Sequence, residues 1–219
     1  MGPETPEWPG DTPFSCSWTW SMARGASVNV SAFTISPHVG THADAPLHVR
    51  DGWLSSDELP LDAFLGPAFV CGVDGDAPVL ELPDLAALAP GVRIERLLLR
   101  SGRTIATGAF PEAWPALSTD AVHALLARGL RLLGVDAPSV DRRESKTLEV
   151  HHALFAGGAC VLENLDLRDI EDGEHELVAF PLKLTGLDAA PVRAILRTVP
   201  ELVAARVDGV PARGTGPGL

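Results

Sequence analysis

The chain has 219 residues, 46% of them hydrophobic and 21% charged, with a formal net charge of −12. That length suits a single domain, 1–219, with a substantial core; the composition excludes a disordered chain, and the acidic balance argues against nucleic acid or an anionic membrane as partner. Cys16, Cys71 and Cys160 are widely spaced and form no CxxC pair, so no disulfide framework is expected. With no basic or apolar leader at the N-terminus and no run able to span a bilayer, the expected location is the reducing cytoplasm.

Residues 1–14 are rich in proline and glycine around Trp8-Pro9-Gly10-Asp11, which excludes a helix. The segment is either a terminal arm or, with its tryptophan fixed by prolines, a wall of a pocket for an aromatic ligand. Residues 18–22 read as a short strand. Residues 26–36 alternate as a half-buried strand, which delivers the chain to the densest cluster of polar side chains in the sequence.

That cluster is 37–48. His38, His42, Asp44 and His48 fall within eleven residues, in a chain with seven histidines. Imidazole nitrogen and carboxylate oxygen together suit zinc, manganese or iron(II). Pro37, Gly40 and Pro46 oppose a helix. In an extended chain His42, Asp44 and His48 point the same way, and a turn at Val39-Gly40 brings His38 back to that face. The expectation is a strand that breaks into a ligand-bearing loop; the bland alternative is a polar loop with unrelated histidines.

A turn at 50–52 follows, then 54–65 with little periodicity. Residues 67–73 and 95–100 read as buried strands, 82–88 as a short helical turn, and 101–114 as a loop. Ser118, Thr119 and Asp120 open the clearest helix, which runs to Arg128 with Gly129 as its stop. Its Val122, Leu125 and Leu126 share a face, and His123 is a surface or packing residue. A strand at 130–135 leads into Asp136-Ala137-Pro138-Ser139-Val140-Asp141 and a charged loop, 142–146. A second helix, 147–156, carries His151 and His152, of which at most one can reach a given metal site. Residues 159–163 form a buried strand ending in Glu163. Residues 177–184 read as a further strand, 188–199 has a helical pattern interrupted by Pro191, and 213–219 is expected to fray. Cys71 and Cys160 lie in apolar runs and read as buried small residues. No phosphate-cradling glycine motif is present, so no nucleotide cofactor is indicated.

The stretch from His38 to His48 resembles the HxGTHxDxPxH motif of the cyclase-like metal hydrolases. Within them the sequence is most similar to the bacterial kynurenine formamidases (arylformamidases). The supporting stretches are WPGDTPF from Trp8 to Phe14, GVDAPSVD from Gly134 to Asp141, SKTL from Ser145 with His151 and His152 beyond it, and LENL from Leu162 to Leu165. The resemblance implies an α/β chain with the family's swivelling β/β/α fold, a mixed β-sheet core with a few helices, and a homodimer. It implies two zinc ions per subunit, with manganese as the other candidate. His38 and His42 would bind one ion, Asp44 and Glu163 would bridge both, and His151 would bind the second, with His152 as the alternative ligand. His48 would be the general acid/base, and Trp8 would contact an aromatic ring of the substrate. The sequence departs from the family in lacking, ahead of the tryptophan motif, a strand of the Leu-Trp-Asp-Ile-Ser kind. That bears on dimer packing and on the positioning of Trp8.

The implied reaction is hydrolysis of N-formyl-L-kynurenine to L-kynurenine and formate, a small-molecule aromatic amide as substrate. A relative that opens cyclic amides, of the isatin hydrolase kind, is the alternative within the family. A non-catalytic metal-binding protein is the alternative outside it, but structural zinc sites are closed and cysteine-rich, and no cysteine lies in this cluster.

Overall fold

Short apolar runs dominate the middle of the chain, and in the computed structural model they become the parallel heart of one sheet. The structure describes residues 1–85, 88 and 92–198. Its strands are β1 (Ser15–Trp20), β2 (Val30–Thr34), β3 (His42–Asp44), β4 (Leu65–Gly72), β5 (Val79–Leu80), β6 (Arg96–Arg100), β7 (Ala116–Leu117), β8 (Leu132–Val135), β9 (Cys160–Glu163), β10 (Gly173–Val178), β11 (Ala189–Pro191) and β12 (Ile195–Arg197). Two α-helices, α1 (Thr119–Ala127) and α2 (Glu149–Ala156), precede β8 and β9.

The main sheet has the order β11-β3-β9-β8-β6-β4-β10-β12. Strands β4, β6, β8 and β9 are parallel; β3 and β10 flank them antiparallel. Parallel strands need both faces covered, so they read as continuous hydrophobic runs. Here Leu97, Leu99, Leu133 and Val161 pack with Val122, Leu125 and Leu154 of the helices. On the other face Val70, Leu98, Leu132 and Leu162 pack with Phe64, Leu165 and Leu177. This mixed sheet with few helices is the fold class that the sequence motif implied.

The register of β3 decides where the polar cluster goes. His42 lies opposite Glu163, Ala43 opposite Leu162 and Asp44 opposite Val161. Ala43 and Leu162 join the second core, so by the period of two His42, Asp44 and Glu163 face the helix side.

Several boundaries differ from the sequence reading. The strand expected at 26–36 shrinks to β2 and is not half-buried: among the described residues it pairs only with β1, and every residue of both strands is exposed. Alternation reports a two-faced strand, and neither face of this hairpin has a core to cover. The strand expected at 177–184 forms earlier, as β10. The helical pattern over 188–199 is not realised: Pro191 sits in the short strand β11, and β12 follows. The small parallel pair β5–β7 had no counterpart in the reading. Segment 213–219, Val199 and part of 82–88 lie outside the described residues. Among the described residues no helix is long and apolar enough to cross a membrane.

Leu98 is fully buried on the central strand β6. Leu98→Ala is expected to cost about 2–5 kcal/mol through lost transfer energy and a residual cavity; urea unfolding of the two proteins measures it, and a loss below about 1 kcal/mol would contradict this packing.

Candidate metal centre

Gly40, at φ 74°, makes the turn that reverses the chain between His38 and β3. After Asp44 the extended chain ends, and Pro46–His48 is a 3-10 turn. His42 and Asp44 therefore share a face as the alternation required. His48 reaches the same cluster by the turn and not by strand periodicity.

Asp44 is the centre of the arrangement, 1% exposed. His38 Nδ1 lies 3.0 Å and His42 Nε2 3.2 Å from its Oδ1. His151 Nε2 lies 3.1 Å from its Oδ2 and 3.3 Å from Glu163 Oε1. Glu163 Oε2 is 3.6 Å from His42 Nε2, which puts Glu163 between the two groups of histidines. The far side of each ring is held by an acceptor. His42 Nδ1 faces the Gly40 carbonyl at 2.9 Å, His151 Nδ1 faces Asp141 at 2.7 Å, and His38 Nε2 faces Asp188 at 2.9 Å. A neutral imidazole that donates on one side presents a lone pair on the other, here towards Asp44.

These donors fit divalent cations. Asp44 Oδ1 is buried and makes no hydrogen bond among the described residues, although two imidazole nitrogens lie beside it. An orphaned buried carboxylate oxygen is costly unless something positive satisfies it. Nitrogen and oxygen donors of His42, Asp44 and Glu163, and separately of His38, Asp44 and His48, lie within 4.8 Å of one another. Electrostatics say the same. Burial works against the charged form of His38, yet the Asp188 and Asp44 carboxylates raise its pKa to about 10. Burial opposes protonation of His151 too, but Asp141, Asp44 and Glu163 hold its pKa well above the ordinary value. Asp44, despite its burial, is held well below the usual carboxylate range by His42, His151 and His38.

The loop after β8 builds the second half of the centre. The Val140 N–H donates to Glu163 Oε1 at 2.8 Å. Asp141 accepts from the Val150 and His151 N–H groups at the start of α2 as well as from the His151 ring, which turns His151 inward. His152, on the next position, leaves the cluster and packs against Trp53.

A cavity of about 280 Å³ opens beside the cluster, and Trp8, Phe110, His38, His48, His151 and Glu163 are among its lining. Trp8 meets Phe110 and Trp114 edge to face, at 5.4 and 5.7 Å between ring centroids. The N-terminal segment is thus a pocket wall and not a free arm. The structure brings together His38, His42, Asp44, His48, His151 and Glu163, with Trp8 lining the same cavity. Sequence reasoning missed Asp188, which lies in a stretch of undecided structure, and the part played by Asp141. It also missed Asn164, left-handed at φ 56°, which lines the cavity with its side-chain oxygen unpartnered.

Residues 1–142 match the family model Cyclase, described as "Putative cyclase". Solved structures share the fold. One, "Potential Metal-Dependent Hydrolase With Cyclase Activity", is 28% identical, covering 88% of this chain and 90% of that one, with a TM-score of 0.73. Another, a "predicted metal-dependent hydrolase" from Bacillus stearothermophilus, is 27% identical over 88% of this chain and 91% of that one, with a TM-score of 0.72. Isatin hydrolase A from Labrenzia aggregata, at 22% identity, 90% and 86% coverage and a TM-score of 0.67, is similar in fold.

With a His38 pKa of about 10, the metal-free protein carries that proton at neutral pH, and a cation bound there must displace it. Zinc added in weak buffer near neutral pH is expected to release protons, and zinc affinity to fall steadily as pH drops below about 10, the neutral range included. Competition with a chromophoric chelator across pH measures this, and an affinity independent of pH would contradict the assignment.

Proposed function

The chain belongs to the Cyclase family of metal-dependent hydrolases, and we propose that within it this protein is a kynurenine formamidase, hydrolysing N-formyl-L-kynurenine to L-kynurenine and formate. The observation that carries the reading is one cavity lined by two unlike sets of side chains. His38, His48, His151 and Glu163 line it together with Trp8 and Phe110. An N-formyl arylamine has the matching halves: a small carbonyl group for the polar set and a ring for the aromatic set.

In this reading His38 and His42 hold one ion and His151 the second, with Asp44 and Glu163 shared between them; zinc is the proposed metal, two per subunit, with manganese the alternative. Such ions supply Lewis acidity and a nucleophile at neutral pH when bound. The protein's own groups do the rest. Trp8, braced by Phe110 and Trp114, orients the ring, and the apolar rim of Pro6, Pro138 and Leu148 excludes water from it. His48, whose side chain is 30% exposed, takes the proton that the attacking water loses and delivers it to the arylamine as it leaves. His48 also lies within ligand range of His38 and Asp44, so its variant separates two roles. His48→Ala is expected to keep its full metal content and lose about 10²–10⁴-fold in kcat. Loss of an ion, measured by elemental analysis, would make His48 a ligand instead.

The fold shared with isatin hydrolases makes a cyclic amide the competing substrate. The zinc-loaded protein is expected to form kynurenine from N-formyl-L-kynurenine, followed by absorbance, and to stop when a chelator is added. Preference for isatin over the formamide would overturn the reading.

A homodimer is also proposed, with the β1–β2 hairpin as its contact. Trp18, Trp20 and Phe33 are 57%, 59% and 66% exposed on it, and a two-stranded hairpin is marginal without a surface to pack on. Light scattering is expected to give a dimer for the wild type and a monomer for Trp18→Ser/Trp20→Ser; a monomeric wild type would contradict it.

A further inference from the structure

Asp188 has no place in the roles above, yet it touches two of the residues that do. It immediately precedes β11, whose Ala189, Ala190 and Pro191 pair with Asp44, Ala43 and His42. Its carbonyl accepts from the Ala45 N–H at 2.8 Å. The backbone therefore holds Asp188 against the end of β3, whatever its side chain does.

That side chain meets two rings through one atom. Asp188 Oδ2 lies 2.9 Å from His38 Nε2 and 3.4 Å from His48 Nδ1. A carboxylate oxygen has two lone pairs and can accept from both rings. The two imidazoles stand 4.5 Å apart between centroids, tilted by 46°, so the shared oxygen fixes them relative to each other. The consequences for the two rings differ. With its Nε2–H given to Asp188, His38 turns Nδ1 towards Asp44 Oδ1 and His42 Nε2, at 3.0 and 3.2 Å. With its Nδ1–H given to Asp188, His48 carries its lone pair on Nε2. His42 and His151 face the cluster through Nε2, so His38 is the histidine that turns the opposite nitrogen inward.

We propose that Asp188 is a positioning residue that sets the tautomer and orientation of His38 and His48 together, presenting His38 Nδ1 to the metal and His48 Nε2 to the substrate. The proposal rests on the metal-centre reading and is independent of which amide is cleaved. A carboxylate behind a ligating histidine fixes ring orientation and raises ligand basicity. A carboxylate behind a proton-transferring histidine selects the tautomer that can take the proton. Asp141 stands behind His151 in the first way. Asp188 does both at once from the opposite side of the centre.

The test uses zinc-loaded protein with ¹⁵N-labelled histidine, comparing wild type with Asp188→Asn, which keeps the shape, and Asp188→Ala, with thermal unfolding to establish that both fold. Long-range ¹H–¹⁵N correlation reads the tautomer of each ring, and chelator competition reads zinc affinity. In the wild type His48 is expected to carry its proton on Nδ1. In Asp188→Ala that proton redistributes towards Nε2, and the weakest-bound zinc loosens about 10–100-fold. Asp188→Asn changes both in the same direction. Unchanged tautomers with unchanged affinity would overturn the proposal and make Asp188 a solvated surface carboxylate. A loss of affinity with unchanged tautomers would overturn it too, since charge alone accounts for that. A wild type that takes up no zinc would remove the centre and this proposal with it, whereas a zinc-loaded protein that leaves the formamide intact would remove only the substrate reading.

Discussion

A carboxylate buried in a sheet needs compensation, and Asp44 obtains it from three imidazoles. Desolvating a carboxylate costs several kcal/mol unless charge or hydrogen bonds replace water. Asp44 has His38 and His42 on one oxygen and His151 on the other. Each ring is anchored on its far side by an oxygen that fixes which nitrogen points inward: Gly40, Asp141 or Asp188. Despite burial, the surrounding carboxylates raise the pKa of His38, His42 and His151 above the ordinary value. A divalent cation offers the same charge at the orphaned Asp44 Oδ1 without placing hydrogens between crowded nitrogens.

The fold delivers these groups from several separate elements. Parallel α/β sheets put their sites at the carboxyl ends of strands, and Glu163 is the last residue of β9. The antiparallel β3 runs beside that end and begins there with His42. The loop from Asp136 to Asp141 ties the remainder together. Asp136 accepts from the Ser101 and Gly102 backbone and fastens the loop to the end of β6. Val140 orients Glu163, and Asp141 orients His151. The Asp141 carbonyl accepts from the Trp114 indole at 2.8 Å, and Trp114 braces Trp8. One loop thereby fixes both the acidic centre and the aromatic residues that line the same cavity.

Much of this was legible in the chain because the local pattern and the tertiary constraint agree. The His38–His48 motif places four of the six clustered side chains within eleven residues. The parity of His42 and Asp44 needs only an extended chain, and the turn at Gly40 needs only a glycine. Apolar runs such as 95–100 and 159–163 read correctly as strands because both of their faces are buried. Asp188 was not legible: it lies 150 residues from His38 in sequence, and its neighbours Ala189, Ala190 and Pro191 carry no strand signal until β3 supplies a partner. The exposure of β1 and β2 was hidden for the converse reason. Alternation states that a strand has two faces and says nothing of whether anything packs on them.

In the proposed centre two cations would gather about Asp44, one towards His38 and His42 and one towards His151, with Glu163 between. Anomalous diffraction at the zinc edge from crystals grown with zinc tests it most directly. Two strong peaks are expected flanking the Asp44 carboxylate, within bonding distance of those histidines. A peak elsewhere, or none at Asp44, would contradict it.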